Sequence, residues 1–133
     1  TCRKNPANRQ HSGKNIKMYI EVLKSKIHRV KVTEAELDYI GSITIDQDYM
    51  DAVGMIPNEK VQVLNIRNGE RFETYTIKGE RGSGIIGLNG PAAHKGSVGD
   101  IVVIVSYAFV EIDKAPDFEP QILLPENGKS TIN

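Results

Sequence analysis

Gly41-Ser42 stands between two apolar, strand-like runs, Tyr39-Ile40 before it and Ile43-Thr44-Ile45 after it. A glycine ahead of a serine at a bend can take a positive φ and lets another group close on its carbonyl. The serine hydroxyl can then attack that carbonyl and convert the peptide bond to an ester. β-Elimination across the serine would cut the chain and leave a dehydroalanine. Tautomerisation and hydrolysis, with loss of ammonia, would then leave a ketone at the new chain end. Such a ketone is an electron sink of the kind that bound cofactors supply elsewhere. Read alone, a Gly-Ser pair is most often a plain turn, so its surroundings decide.

Other residues carry chemistry only in context. Arg71 has a guanidinium that can hold a carboxylate through two parallel hydrogen bonds, yet an arginine just after a turn is usually a solvated rim residue. Tyr75 has a phenol able to donate a proton at a reacting carbon, although a strand tyrosine more often packs in a core or interface. Asn89-Gly90-Pro91-Ala92-Ala93 is a run of small residues that can present backbone N–H groups to an anion. Pro91 has no N–H to offer. His11, His28 and His94 show no metal-ligand spacing, and the single Cys2 joins none of them. Residues 79–84 have neither the spacing nor the strand–turn–helix context of a dinucleotide or phosphate loop.

The elements that must position these residues are short. Residues 18–23 and 27–32 read as two strands, with Lys26 and His28 on a shared face. Thr33 followed by Glu36 has capping-box spacing and predicts one helical turn over 33–37. A short strand covers 43–45. Asp46 then fits the N-cap of a short helix that Gly54 stops. Pro57-Asn58 marks a turn. Residues 60–66 alternate as a strand, and Asn68-Gly69 predicts a type I′ hairpin. The return strand, 71–78, puts Arg71, Glu73, Tyr75 and Ile77 on one face. Strands follow at 85–88 and 101–110. Six or seven short strands, one or two small helices and no βα repeat predict a mainly β barrel.

The 133 residues amount to one domain, long enough to bury a core without disulfides. Residues 101–105 form the longest apolar run, far too short to span a bilayer. The first seventeen residues hold Arg3, Lys4, Arg9, Lys14 and Lys17 and no acid, so the rest of the chain sets 12 bases against 17 acids. A flexible basic head or added extension over 1–17, a folded body over 18–110 that starts naturally at Met18, and a surface tail over 111–133 with one apolar patch at 122–124 is the expected organisation. The acidic body argues against nucleic-acid and membrane partners. The lone cysteine and the absence of an apolar leader predict a cytoplasmic protein.

Four blocks, Lys26-Ile27-His28-Arg29-Val30-Lys31-Val32-Thr33, Tyr39-Ile40-Gly41-Ser42, Asn68-Gly69-Glu70-Arg71-Phe72-Glu73-Thr74-Tyr75 and Leu88-Asn89-Gly90-Pro91-Ala92-Ala93, stand in an order and spacing that resembles the pyruvoyl-dependent aspartate 1-decarboxylases. The resemblance runs from about residue 18 to 107. It implies a double-psi β-barrel, a homotetramer with active sites between neighbouring subunits, and conversion of L-aspartate to β-alanine and CO2 for pantothenate biosynthesis. It implies self-cleavage between Gly41 and Ser42, assisted by Thr74, leaving a covalent pyruvoyl group derived from Ser42 that forms a Schiff base with the substrate. Tyr75 would be the proton donor. Lys26, Arg71, Thr74, Asn89, Gly90, Pro91 and Ala92 would bind substrate. His28 would be a wall residue. Many relatives have alanine in place of Pro91, and the Gly-Pro version is a familiar variant. No metal and no accessory maturation factor is indicated. The rival readings are an unprocessed, inactive relative and a small β-barrel binding module; neither would yield a cut chain.

Overall fold

The computed structural model describes residues 16–125 and, for the backbone, 129–132. Cys2, His11 and nearly all of the basic head lie outside the described residues. Among the described residues nine strands form: β1 (Tyr19–Lys31), β2 (Glu34–Glu36), β3 (Ser42–Asp46), β4 (Lys60–Asn65), β5 (Arg71–Gly79), β6 (Ile86–Asn89), β7 (Ile101–Glu111), β8 (Gln121–Leu124) and β9 (Lys129–Ile132). Among the described residues there is also one α-helix, α1 (Gln47–Val53), with 3-10 turns at Gly90–His94 and Ala115–Asp117. The mainly β expectation holds, with more strands than the six or seven expected.

The chain divides into two compact units. The described part of the smaller one comprises residues 16–22 and 108–118. There Ile112 N donates to Met18 O at 2.9 Å, and Lys17 pairs with Glu111 at 3.1 Å. That pair is solvent-exposed and adds little to stability. The larger unit, Leu23–Tyr107 and Glu119 onward, holds every candidate site residue.

The strands run in the order β2-β6-β3-β5-β4-β7-β1-β8-β9. β5 and β6 are consecutive in the chain, yet β3 lies between them. It is parallel to β5, with Ile43 opposite Thr76, and antiparallel to β6, with Ser42 opposite Asn89. β1 sits in the same way between the consecutive strands β7 and β8. Two such interposed strands make the double-psi arrangement. The alternation of side chains puts Ile43 and Ile45 of β3, Val61 and Val63 of β4, and Ile86 and Leu88 of β6 into one core with Ile27, Val102 and Ile104. Each fully buried aliphatic side chain contributes about 1.5–3 kcal/mol. Ser42 and Thr44 therefore face the other way from the core-directed isoleucines.

Several expectations need correction. The segments 18–23 and 27–32 are not two strands but the single β1. Its parity changes at Arg29, whose φ is 64°, so that Ser25 and Ile27 are buried before it and Val30 and Val32 after it. Residues 33–37 form no helical turn. The Thr33 hydroxyl is taken by Ile86, accepting from its N–H at 3.0 Å and donating to its carbonyl at 3.2 Å. Residues 34–36 then pair with β6 as β2. Asn68-Gly69 is not a type I′ turn, because of the two only Gly69 has a positive φ, 75°. The connection is longer, closed by Asn65 N to Glu70 O and Gly69 N to Asn65 O, both 2.8 Å. The apolar patch at 122–124 is not a surface tail. It is β8, parallel to β1, with Leu123 buried opposite Ile27. The helix is as expected, with Asp46 as N-cap and Gly54 at φ 72° ending it.

Candidate active site

Ser42 opens β3 and is fully buried. Its hydroxyl donates to Ile40 O at 3.1 Å and accepts from Asn89 Nδ2 at 3.0 Å. The second N–H of that amide reaches Thr44 Oγ1 at 2.9 Å. Asn89 is opposite Ser42 in the register and Gly87 is opposite Thr44, so the asparagine and the two hydroxyls share one face. Asparagine is a favoured helix N-cap, but Asn89 precedes the 3-10 turn without capping it. Its side chain is committed to the hydroxyls instead.

The backbone around the Gly41–Ser42 bond is held by close packing. Gly41 does not take a positive φ; Gly90 does, at 63°. A Cβ on Gly90 would lie 2.6 Å from Tyr39 O and 2.8 Å from Gly41 N and Cα. Any side chain there would push the Gly41 segment away. A Cβ on Gly41 would meet Pro91 Cδ at 3.1 Å. Close packing at Gly41 thus comes from Pro91 and from Gly90, which has the positive φ expected of Gly41.

Gly41, Thr74, Tyr75, Pro91 and Ala92 line one cavity of about 420 Å³ together with Phe72, Glu73 and Lys95. That volume suits a small molecule. β5 brings Thr74 and Tyr75 because it runs parallel to β3, and the 3-10 turn after β6 brings Pro91 and Ala92. The sequence reading missed Phe72, Glu73, Lys95 and Thr44. Strand alternation carries the signal for Glu73, which shares the Arg71 and Tyr75 face, and for Thr44, two residues on from Ser42. The Glu73 carboxyl is held below the usual carboxylate range by a hydrogen bond from Gln62 and by Lys60. Lys95 pairs with Glu70 at 3.2 Å.

Lys26 and Arg71 do not line this cavity. Lys26 is on β1 opposite Ile122 of β8. Arg71 is exposed at the start of β5, and its Nη1 donates to Gln62 Oε1 at 2.9 Å. His28 is half-buried on β1.

A small double-psi sheet that buries Ser42 behind a cavity lined by Gly41, Thr74 and Tyr75 is the framework of an enzyme. The family model described as aspartate decarboxylase matches residues 18–132, and the chain belongs to that family. It is 61% identical to aspartate 1-decarboxylase of Cytophaga hutchinsonii, over 86% of this chain and 100% of that one. Identity to the enzyme of Parabacteroides distasonis is 56%, over 86% and 99%, and to that of Phocaeicola vulgatus 59%, over 86% and 99%. Among solved structures, a rationally designed protein titled mkDPBB_sym_86 matches with a TM-score of 0.45 and 20% identity, over 58% of this chain and 90% of that one.

Proposed function

We propose that this protein converts L-aspartate to β-alanine and CO2, a step toward pantothenate, with a pyruvoyl group made from its own Ser42. The observation that carries the reading is the buried Ser42 hydroxyl, held by Asn89 next to Gly41 at the wall of a cavity that Thr74 and Tyr75 also line. The residues fit the group. Ser42 supplies its atoms, Gly41 leaves the carbonyl approachable, and the cavity beside them has room for a four-carbon amino acid.

The maturation step balances within the chain. Ser42 Oγ adds to the Gly41 carbonyl carbon, the C–N bond breaks, and the hydroxyl proton ends on the freed amine. Loss of the Ser42 α-proton then expels the Gly41 carboxylate, and water replaces the nitrogen, which leaves as ammonia. The ketone so formed supplies an electron sink for the bond that breaks as CO2 departs. Tyr75 is placed in the cavity wall to return a proton to the substrate α-carbon. Thr74 assists cleavage and contacts substrate. Pro91 and Ala92 shape the wall, Gly90 packs beneath Gly41, and Asn89 orients what forms at residue 42.

Arg71 shares a face of β5 with Glu73 and Tyr75 and gives up only an exposed hydrogen bond to Gln62 when it binds a carboxylate. Lys26 is separated from β3 by β7, β4 and β5 in the strand order. It serves the cavity of a neighbouring copy, in a homotetramer whose active sites lie between subunits. Among the described residues no helix is long and apolar enough to cross a membrane. The assignment to the cytoplasm belongs to this proposal and rests on a biosynthetic reaction of a free amino acid.

Intact mass under denaturing conditions tests the reading. The parent chain should give two fragments, one ending at Gly41 and one beginning at a pyruvoyl group. Ser42→Ala, which has no hydroxyl to shift, should remain one inactive chain. A cleaved Ser42→Ala protein, or a parent active while uncut, would refute the scheme.

A further inference from the structure

Thr44 has no part in the chemistry described so far, yet its hydroxyl holds the only other N–H of the amide that holds Ser42. Both contacts come from Asn89 Nδ2, at 3.0 Å to Ser42 Oγ and 2.9 Å to Thr44 Oγ1. A hydroxyl can donate as well as accept, so what Thr44 secures is the position of the amide beside Ser42. With Nδ2 between two hydroxyls, both oxygens act as acceptors. The Ser42 proton is then free to point at Ile40 O, 3.1 Å away. Without Thr44 the amide would be free to swing off Ser42 Oγ and leave that hydroxyl with Ile40 O alone.

The surroundings of Thr44 fit a positioning role. The residue opposite it on β6 is Gly87, where a Cβ would come 3.5 Å from Thr44 Cβ. At Gly79 a Cβ would lie 3.0 Å from Thr44 Cγ2. Two glycines thus leave the space that the threonine side chain fills, with its methyl against Gly79 and its hydroxyl toward Asn89.

We propose that Thr44 is a positioning residue for self-cleavage: by accepting the second N–H of Asn89 it keeps the amide seated on the Ser42 hydroxyl for the acyl shift. This rests on the proposal that the chain cuts itself at Ser42. It adds a residue that acts through Asn89 and touches neither substrate nor the bond that breaks.

Pulse–chase on a denaturing gel measures the rate at which full-length chain disappears, in the whole protein and without any activity assay. Thr44→Val keeps the shape and removes the hydroxyl. It should slow cleavage about threefold to tenfold, the reach of one neutral hydrogen bond. Thr44→Ser should restore the parent rate to within about twofold, since it returns the acceptor. In an Asn89→Ala background the change Thr44→Val should have no further effect on cleavage. Thermal unfolding of each variant checks the fold, and Thr44→Ser keeps the test open if the valine variant unfolds. Parent-rate cleavage in Thr44→Val, failure of Thr44→Ser to restore the rate, or an equal slowing with Asn89 already gone would overturn the proposal. If the parent itself never cleaves, the reading of the function falls first and this one with it.

Discussion

Tyr75 is half-buried in the cavity wall, next to Thr74 and on the strand that pairs with β3. In the proposed reaction this phenol has work to do after cleavage and none during it. Tyr75→Phe should therefore give the same two fragments as the parent. Its turnover should fall about 10²–10⁴-fold, the usual contribution of a positioned acid. The loss should fall on kcat rather than KM, because the proton is needed in the transition state. Steady-state kinetics on the cleaved variant decides it; an unchanged kcat assigns proton donation to another group. At this scale the sequence was readable in which residues meet, since Gly41, Thr74, Tyr75, Pro91 and Ala92 do line one cavity. It was not readable where a residue acts through space that its neighbours leave. The positive φ belongs to Gly90, not Gly41, because it is the turn after β6 that must bend under the 39–41 segment. Thr44 looks like any strand threonine until the register sets it beside Asn89.

Among the elements, α1 and the 80–84 turn depend on one carboxylate. Asp46 is buried, and its oxygens accept from Asp48 N at 2.8 Å, Gly82 N at 3.1 Å and Gly84 N at 2.7 Å. Burial alone would raise its pKa, but the three N–H groups together hold it below the usual value. Asp46→Ala should lower stability by about 2–4 kcal/mol, a lost cap plus two further N–H groups left unpaired. The sign of the pH dependence follows from the depressed pKa. The stabilisation is complete above the unfolded value of about 3.9 and is lost as pH falls through the lower folded value. Urea titrations at neutral pH and near pH 3 should show Asp46→Asn losing less stability on acidification than the parent; equal losses would remove Asp46 from the acid limb. The helix was legible because cap, length and stop are all local signals. The 33–37 segment was not, since its capping-box spacing is local and the bonds from Thr33 to Ile86 reach 53 residues along the chain. The tail misled for the same reason. Its prolines and acids are local, while the partner of β8 is β1, about a hundred residues earlier.

For the whole molecule, the question is which chain completes the cavity. Lys26 and Ser42 belong to strands far apart in the sheet order, and the proposal gives them to different copies in each site. Co-expressed Lys26→Ala and Ser42→Ala chains should then regain activity that neither has alone. In the hybrid, a Lys26→Ala chain cleaves and carries the ketone while its neighbour supplies the lysine. Assays of hybrids purified through two different tags would show it, and activity no higher than in the single variants would put Lys26 and Ser42 in the same chain's site. The mainly β class was legible from many short alternating runs. The order of the strands was not legible from periodicity, because nothing in alternation says that β3 inserts between β5 and β6; that part came from the four motif blocks.

The insertion of β1 between β7 and β8 has a consequence for the cut protein. The proposed cleavage after Gly41 would leave β1 and β2 on one piece and, among the described residues, seven strands on the other, joined only by hydrogen bonds and packing. The unfolded state of the precursor is one chain, but that of the mature form is two, which separate. Folding of the mature form then becomes an association, and by mass action each tenfold dilution lowers its apparent stability by about 1.4 kcal/mol, beyond any dependence that assembly of copies brings. If the chain cuts itself as proposed, it folds as one molecule the first time, and a protein unfolded afterwards has to find its missing piece again.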